Sequence, residues 1–224
     1  MPDDARHSRF DLVVALFMAL AAVGTAWAGF ESAKWSGVQA NSYASAGADR
    51  AEASRAQTLA SQQRTIDVVS FTAWLNALNA EIVADPSVRP HGSYTPNANA
   101  VSGFLFERFR PEFKPAVRAW LDTHPLVNPD APATPFDLPQ YRLAADQRSQ
   151  QLVERAEKLA TRARTANQRS DNYVLTAVVF ATVLFFSGMA TKASGRRVQL
   201  FFTTLAGIAL VGCIITLALF PVQI

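Results

Sequence analysis

Charged residues are scarce in this sequence, and the scarcity is local. Of 224 residues, 17% are charged and half are hydrophobic, whereas charged residues make up about a quarter of an ordinary soluble domain. Three long stretches contain no Asp, Glu, Lys, Arg or His at all. This distribution favours membrane-spanning segments over one large apolar core.

Residues that support catalysis or metal binding are also few. Cys213 is the only cysteine, which excludes an internal disulfide. The three histidines, His7, His91 and His124, lack the spacing of a metal site. No motif of a serine hydrolase, a zinc protease or a nucleotide-binding protein occurs. We therefore expect no enzymatic activity and no cofactor or metal.

A nucleic-acid partner is not expected either. The formal net charge is +3, and the basic residues are mixed with acidic ones along the chain. Nucleic-acid binding usually requires basic residues that are concentrated on one surface. The charge pattern therefore gives no reason to expect such a partner.

The three apolar stretches predict transmembrane helices, because each has close to the roughly 20 apolar residues needed to cross a bilayer. They cover residues 12–30, 173–191 and 200–220. The first stretch also resembles a signal peptide, since the run Ala26-Trp27-Ala28 has the pattern of a cleavage site. Its apolar run is long, however, and helix-forming residues continue beyond it. We therefore expect an anchor that is not cleaved.

Positive charges in the short flanking segments predict the orientation. Arg6 and Arg9 lie in the N-terminal tail, residues 1–11, and the loop 192–199 between the second and third spans is basic. Both segments lie on one side of a three-span protein, which favours the cytoplasm. Residues 31–172 and the C-terminal tail, 221–224, would then lie outside, in the periplasm of a bacterial cell.

Proline content divides the long segment between the first two spans. Ten of the twelve prolines fall between Pro86 and Pro139. Residues 31–65 and 141–172 contain none, so we predict two long helices that form an antiparallel stalk. Residues 66–140 are predicted to form a small helical head with a Pro-rich strap. The predicted fold is therefore an all-α membrane protein with three transmembrane helices, a stalk and a head.

Repeated spacings of three and four residues predict which faces of the stalk helices are buried. The returning helix shows the spacing of a coiled coil, and the outgoing helix has a face of small residues. The predicted buried positions are Leu152, Ala156, Leu159, Ala163, Ala166, Ser170, Tyr173 and Ala177 on the returning helix, and Gly37, Ala40, Ala44, Ala48 and Ala51 on the outgoing one.

The head has its own apolar positions and a group of charges. We predict that three amphipathic pieces bury one another, and that the charged group is solvated and forms local ion pairs. The apolar positions are Val68, Phe71, Leu75, Leu78, Ile82, Val101, Phe104, Leu105, Phe109, Phe113, Val117, Trp120 and Leu121. The charged group consists of Glu107, Arg108, Arg110, Glu112, Lys114 and Arg118.

Small residues in the spans predict close helix packing, either within one chain or between copies. Trp27 and Trp35 are predicted to lie at the membrane interface, where aromatic residues are common. Glu31, at the end of the first span, is expected to be hydrated. The packing candidates are Ala21, Gly24, Thr25, Ala28 and Gly29 in the first span and Gly207 and Gly212 in the third.

Three runs of sequence carry a resemblance to other proteins. They are WSGVQ at 35–39, FRPEFKPAVRAWL at 109–121 and NPDAPATPF at 128–136. These runs resemble a group of uncharacterised bacterial membrane proteins that have one span, a helical insert and two further spans. The resemblance covers most of the chain and implies the bacterial inner membrane. It brings no known activity, ligand or site residue.

The function expected from these patterns is that of an interaction or scaffold module in a homo-oligomeric inner-membrane protein. The candidate partner surface lies around Trp120, Phe136 and the Pro-rich strap. The expected partners are the lipid bilayer, other copies of the chain and an unidentified membrane or periplasmic protein. The alternatives are an oligomeric channel, lined by Thr203, Thr204 and Thr216, or an accessory subunit of a larger membrane complex.

Overall fold

The computed structural model describes the backbone of residues 2–223 and the side chains of residues 10–223. Over this range the chain is helical and has no strand, only an isolated bridge between His91 and Ser93. The predicted all-α class is confirmed. The α-helices are α1, Pro2–Ala84; α2, Val101–Glu107; α3, Lys114–Asp122; α4, Ala144–Lys192; and α5, Arg196–Leu219, with short 3₁₀ turns at Pro86–Val88 and Pro135–Asp137.

Helix α1 has 83 residues, and the positions of proline explain its length. Pro2 is tolerated in the first helical turn, and the next proline is Pro86, where the helix has ended. Beyond the helix, the Asp85 carboxylate accepts the backbone N–H of Ser87 at 2.9 Å. Because α1 begins at Pro2, the backbone of most of the predicted tail, residues 1–11, is helical. The side chains of Arg6 and Arg9, which support the predicted orientation, lie outside the described residues.

Among the described residues, three helices are long and apolar enough to cross a membrane. Their candidate segments are Phe10–Ala84, Ala144–Lys192 and Arg196–Leu219. The first two contain the predicted spans 12–30 and 173–191, and the third contains the predicted span 200–220 except for its last residue, Phe220. The chain is consistent with a multi-pass membrane protein.

The chain divides into two compact units. The first, here called the apolar unit, comprises Met1–Ala46 and Glu157–Ile224, and the second, the insert unit, comprises Gly47–Ala156. Both divisions fall inside the segments predicted to form the stalk. Helices α1 and α4 contribute residues to both units.

Antiparallel pairing of α1 with α4 is seen in each unit. In the apolar unit, the hydroxyl oxygens of Ser32 and Ser36 each lie 2.9 Å from that of Ser170. In the insert unit, the Ser149 hydroxyl donates to the carbonyl oxygen of Ala53 at 3.0 Å. Such direct contacts require helices that approach closely, and small side chains permit this.

The buried face of α4 agrees largely with the predicted one. Six of the eight predicted positions are buried, whereas Leu159 and Ala177 are half-buried beside the buried Ala160 and Thr176. The buried predicted positions are Leu152, Ala156, Ala163, Ala166, Ser170 and Tyr173.

The predicted buried face of α1 was wrong. Gly37, Ala40, Ala44, Ala48 and Ala51 are all exposed. Small residues occur on several faces of this helix, so their spacing alone does not identify the packed one. The buried face includes polar residues that bond to α4, and its members are Ser32, Trp35, Ser42, Ala46, Asp49, Ala53, Ala56 and Ala60.

An aromatic core holds the insert unit together. Trp74 and Phe106 are fully buried within it, although neither was among the predicted core residues, while Val68, Val101 and Phe104 are exposed. Burying one large apolar side chain stabilises a fold by about 1.5–3 kcal/mol. The buried core residues are Phe71, Trp74, Leu78, Ile82, Phe106, Phe109, Phe113, Ala116, Val117, Trp120 and Leu121.

Candidate functional site

A cleft of about 310 Å³ lies in the insert unit beside the C-terminal end of α1. Three parts of the chain form it: the last turns of α1, the segment that follows them, and the first turn of α2. Its walls are partly apolar and partly polar. The lining residues are Leu78, Glu81, Ala84, Asp85, Val88, Tyr94, Thr95, Asn97, Ala100 and Ser102.

Hydrogen bonds fix the Glu81 carboxylate in this cleft. One carboxylate oxygen accepts the backbone N–H of Ser102 at 2.9 Å, and the other accepts the Ser102 hydroxyl at 2.6 Å. The Tyr94 hydroxyl lies 2.7 Å from the Ser102 hydroxyl oxygen. Because the Ser102 proton is directed at Glu81, Tyr94 donates to Ser102. Glu81 thereby caps the N-terminal turn of α2, where a negative charge is favourable.

A close backbone approach shapes the same wall. A Cβ atom at Gly103 would lie 2.0 Å from the carbonyl oxygen of Asn97. Only glycine allows the loop to pack this tightly against α2. The segment that carries Tyr94 and Asn97 is thus held against the helix that carries Ser102.

A second carboxylate, Asp85, follows the last residue of α1. It accepts hydrogen bonds from Ser87, and these lower the pKa of Asp85 below its usual value. Asp85 is therefore ionised at neutral pH. The lining of the cleft contains two carboxylates and no Lys, Arg or His, so the arrangement favours a positively charged group.

A buried charge network lies elsewhere in the insert unit, around Asp67. The Asp67 side chain is fully buried. One of its oxygens accepts a hydrogen bond from Arg110 at 3.0 Å and one from the Tyr141 hydroxyl at 3.1 Å. The other oxygen has no hydrogen-bond partner among the described residues. The network joins α1, the segment before α3 and the segment before α4.

Burial shifts the ionisation of this network. Desolvation raises the pKa of Asp67, and the nearby Arg110 opposes that shift. Desolvation and the Asp67 carboxylate raise the pKa of Tyr141 to about 12. Tyr141 is therefore a neutral hydrogen-bond donor at physiological pH.

The charged group predicted to be solvated is only partly so. Lys114 and Glu107 form a surface ion pair at 3.0 Å, as expected. Arg110 forms two ion pairs, one with Glu112 and one with the buried Asp67. Its side chain is only 21% exposed. The burial of Asp67 could have been suspected from the sequence, because Asp67 lies four residues before Phe71 and thus on the same face of α1.

The predicted partner surface around Trp120 and Phe136 belongs largely to the core. Trp120 is 4% exposed, and its indole N–H donates to the carbonyl oxygen of Pro132 at 2.7 Å. Phe136 is half-buried and stacks on Phe113, with ring centroids 5.2 Å apart. The indole of Trp120 can make little direct contact with a partner. Partner binding at this face stays a prediction that would depend on neighbouring residues.

Three packing candidates of the first span are buried in the apolar unit, namely Ala21, Gly24 and Ala28. A Cβ atom at Gly24 would lie 2.4 Å from the ring of Phe180, so glycine permits this contact between α1 and α4. Thr25 is half-buried, and its hydroxyl donates to the Ala21 carbonyl oxygen at 2.8 Å. These residues take part in packing within one chain.

The remaining packing candidates have fewer neighbours. Gly207 is half-buried, and a Cβ atom there would lie 3.3 Å from Phe17. Gly29 and Gly212 are exposed, with no other group within 4 Å of an added Cβ atom. A role for these two glycines in packing between copies stays a prediction.

The two tryptophans predicted at the membrane interface have different surroundings. Trp27 is 46% exposed, and its ring centroid lies 5.9 Å from that of Phe30. Trp35 is 6% exposed, and the Arg169 guanidinium lies 4.4 Å from its ring centroid. Their position relative to a membrane stays a prediction.

The expectation that Glu31 is hydrated was wrong, because its side chain is fully buried. One carboxylate oxygen accepts the backbone N–H of Gln223 at 2.9 Å. Nearby, the carbonyl oxygen of Pro221 accepts the Trp35 indole N–H and the Tyr173 hydroxyl, each at 3.2 Å. These bonds fasten the C-terminal segment to α1 and α4. The partners of Glu31 lie far away in the sequence, so local patterns did not identify them.

Comparisons with known proteins add no assignment to these sites. No protein family model matches the chain, and no curated protein or solved structure shows significant similarity to it. Among the described residues, no group of three or more His, Cys, Asp or Glu side chains could hold a metal ion. The cleft in the insert unit is the candidate functional site because polar and apolar residues line it and hydrogen bonds fix its Glu81 carboxylate.

Proposed function

We propose that the protein is a membrane-anchored interaction or scaffold module, which acts by binding rather than by catalysis. Helices α1, α4 and α5 would anchor it in a bacterial inner membrane. Residues 31–172 would lie in the periplasm, and the N-terminus and the 192–199 loop in the cytoplasm. The basic 192–199 loop supports this orientation.

One observation carries the proposal. The insert unit has its own aromatic core, formed by residues from α1, α2 and α3 and the segments between them, and the same unit contains a polar-walled cleft. A folded unit of this kind, inserted in the sequence between apolar segments, is suited to present a surface to a partner. Residues 31–65 and 141–172 would serve as its stalk, with a coiled-coil pairing, and residues 66–140 as its head.

The channel and accessory-subunit alternatives differ in what supports them. The hydroxyls of Thr203 and Thr216 donate to carbonyl oxygens of their own helix, each at 2.8 Å, so these bonds give no reason to place them in a pore. An accessory subunit of a larger complex would use the same insert unit, and only the identity of the partner separates it from the first proposal.

A deletion of the head tests the proposal. The Tyr141 hydroxyl lies 3.1 Å from Asp67, so a short Gly-Ser linker can replace residues 68–140 and join the two remaining segments. We expect this variant to insert into membranes but to lose the proteins that crosslink to the full-length chain. Recovery of the same crosslinked proteins from the deletion variant would contradict the proposal.

The mass of the complex in mild detergent, measured by native mass spectrometry, tests homo-oligomerisation. We expect several copies of the chain. A defined ring of four or more copies would direct attention to the channel alternative. A monomer would contradict the proposed homo-oligomer.

A further inference from the structure

We propose that the cleft of the insert unit binds a basic side chain, lysine or arginine, of a partner protein. The inference rests on the proposed function, because it names what the interaction module recognises. Three features of the cleft support this ligand: its charge, the shape of its walls and its position at the end of a helix.

The charge of the cleft is negative from two sources. The Glu81 and Asp85 carboxylates both line it, and no basic side chain does. The C-terminal end of α1 lies in the same wall and carries a partial negative charge, while the partial positive charge of the first turn of α2 is offset by Glu81. Carboxylates and carbonyl oxygens are the acceptors that an ammonium or guanidinium group requires.

The carboxylates are held in place before any ligand binds. Ser102 fixes both oxygens of Glu81, and Ser87 fixes Asp85. A group that is already ordered loses little conformational entropy on binding.

The other walls suit the hydrocarbon part of a basic side chain. Leu78, Ala84, Val88 and Ala100 provide apolar surface, and Tyr94 adds an aromatic ring. Lysine and arginine commonly place their methylene groups on apolar surface while the charged end contacts polar groups. The volume, about 310 Å³, is near the lower limit of about 300 Å³ for ligand pockets. It therefore suits one side chain rather than an entire helix.

The indole of Trp74 provides a reporter for binding. Its ring centroid lies 5.5 Å from that of Tyr94, which lines the cleft. The indole N–H is buried and has no hydrogen-bond partner among the described residues. The four tryptophans of the chain give four indole signals in a ¹⁵N-labelled protein, so a change at Trp74 can be compared with the signals of the others.

The experiment titrates the full-length protein in detergent with N-acetyl-lysine methylamide and N-acetyl-arginine methylamide. N-acetyl-norleucine methylamide serves as the uncharged probe. We expect a saturable shift of the Trp74 signal with at least one basic probe, with a Kd on the order of 1 mM, and none with norleucine. Added salt should weaken the binding, because Asp85 is exposed and solvent ions screen exposed charges.

Variants assign the binding to the two carboxylates. Asp85→Asn and Glu81→Gln should each weaken binding of the basic probe at least tenfold, whereas the exposed Asp130→Asn should not change it. Dispersed indole signals check that each variant is folded. Because Asp85 is exposed, its variant keeps the test valid even if Glu81→Gln disturbs the start of α2.

Several results would overturn the inference. They are a Trp74 signal that neither basic probe shifts, an equal shift with norleucine, and unchanged binding by Asp85→Asn. These results leave the head-deletion experiment unaffected. Loss of crosslinked proteins on deletion, together with no probe binding, would overturn this inference alone. Unchanged crosslinking on deletion would instead overturn the proposed function.

Discussion

Replacing Arg110 with methionine tests how the buried charge network stabilises the insert unit. The variant keeps most of the side-chain volume but removes the guanidinium group, which lies 3.0 Å from the Asp67 carboxylate. Asp67 is fully buried. Its remaining hydrogen bond would be the one from the Tyr141 hydroxyl, at 3.1 Å.

The expected loss is large for a single substitution. Removing one partner of a buried ion pair typically costs about 3–5 kcal/mol, because the other charge remains buried. The Arg110 side chain is 21% exposed, so water partly replaces the guanidinium. We therefore expect the lower end of the range, about 3 kcal/mol at neutral pH. Asp67→Asn removes the buried charge itself and should cost less, about 1–2 kcal/mol.

The loss should depend on pH, and the sign follows from the pKa of Asp67. Burial raises this pKa in the folded state, and Arg110 opposes the shift. Between the unfolded pKa, about 3.9, and the higher folded pKa, the folded state binds more protons, so stability falls as the pH rises. Without Arg110 the folded pKa rises further. The penalty of Arg110→Met should therefore be smaller near pH 4 than near pH 7.

The assay is urea unfolding of the full-length protein in detergent, followed by near-ultraviolet circular dichroism. Trp74 and Trp120 lie in the aromatic core and report on its packing. Arg118→Met is the matched control, since Arg118 is exposed on α3. An equal loss of stability at low and neutral pH, or an equal loss in the control, would refute the reasoning.

Two further substitutions test helix packing and the C-terminal segment. Ala53→Leu should lower the free energy of unfolding by about 1–3 kcal/mol, because Ala53 is buried in a tight helix contact. In the same unfolding assay, Ala51→Leu, at an exposed position, should change stability by less than about 0.5 kcal/mol. Equal effects of the two substitutions would contradict the observed buried face of α1. Glu31→Ala removes the bond to Gln223 and should increase the rate of carboxypeptidase digestion roughly tenfold, since such a bond contributes about 1.5 kcal/mol or more. Lys34→Ala, at an exposed position one turn along α1, is its control, and equal digestion rates would contradict the role of Glu31.

Local sequence patterns explain why the long helices form, although α1 extends beyond the predicted stalk segment, 31–65, at both ends. Proline positions explain why α1 continues to Ala84, and uncharged stretches explain the three membrane-length helices. The buried face of α4 could be predicted because large and small apolar residues repeat on one side. The buried face of α1 could not be predicted, since small residues occur on several faces of that helix. Its buried positions include Asp49, which accepts two hydrogen bonds from Arg155, at 2.6 and 2.5 Å.

Buried charges were the main features that sequence reasoning missed. Asp67 bonds to Arg110, 43 residues away, and Glu31 bonds to Gln223, 192 residues away. A rule that places charged side chains in solvent fails where a distant part of the chain supplies the partner. The cleft has the same origin, because Glu81 lies on α1 while Ser102 lies on α2. Such sites require the tertiary fold.

Cysteine labelling from one side of the membrane tests the central claim most directly. In a Cys213→Ala background, single cysteines replace Asn99 in the insert unit and Ser194 between α4 and α5, both exposed positions. An impermeant maleimide is then added to spheroplasts. We expect labelling of Asn99→Cys, whereas Ser194→Cys should react only after the membrane is permeabilised. Labelling of both cysteines in intact spheroplasts would contradict a membrane-anchored module whose insert unit is separated from the 192–199 loop by the bilayer.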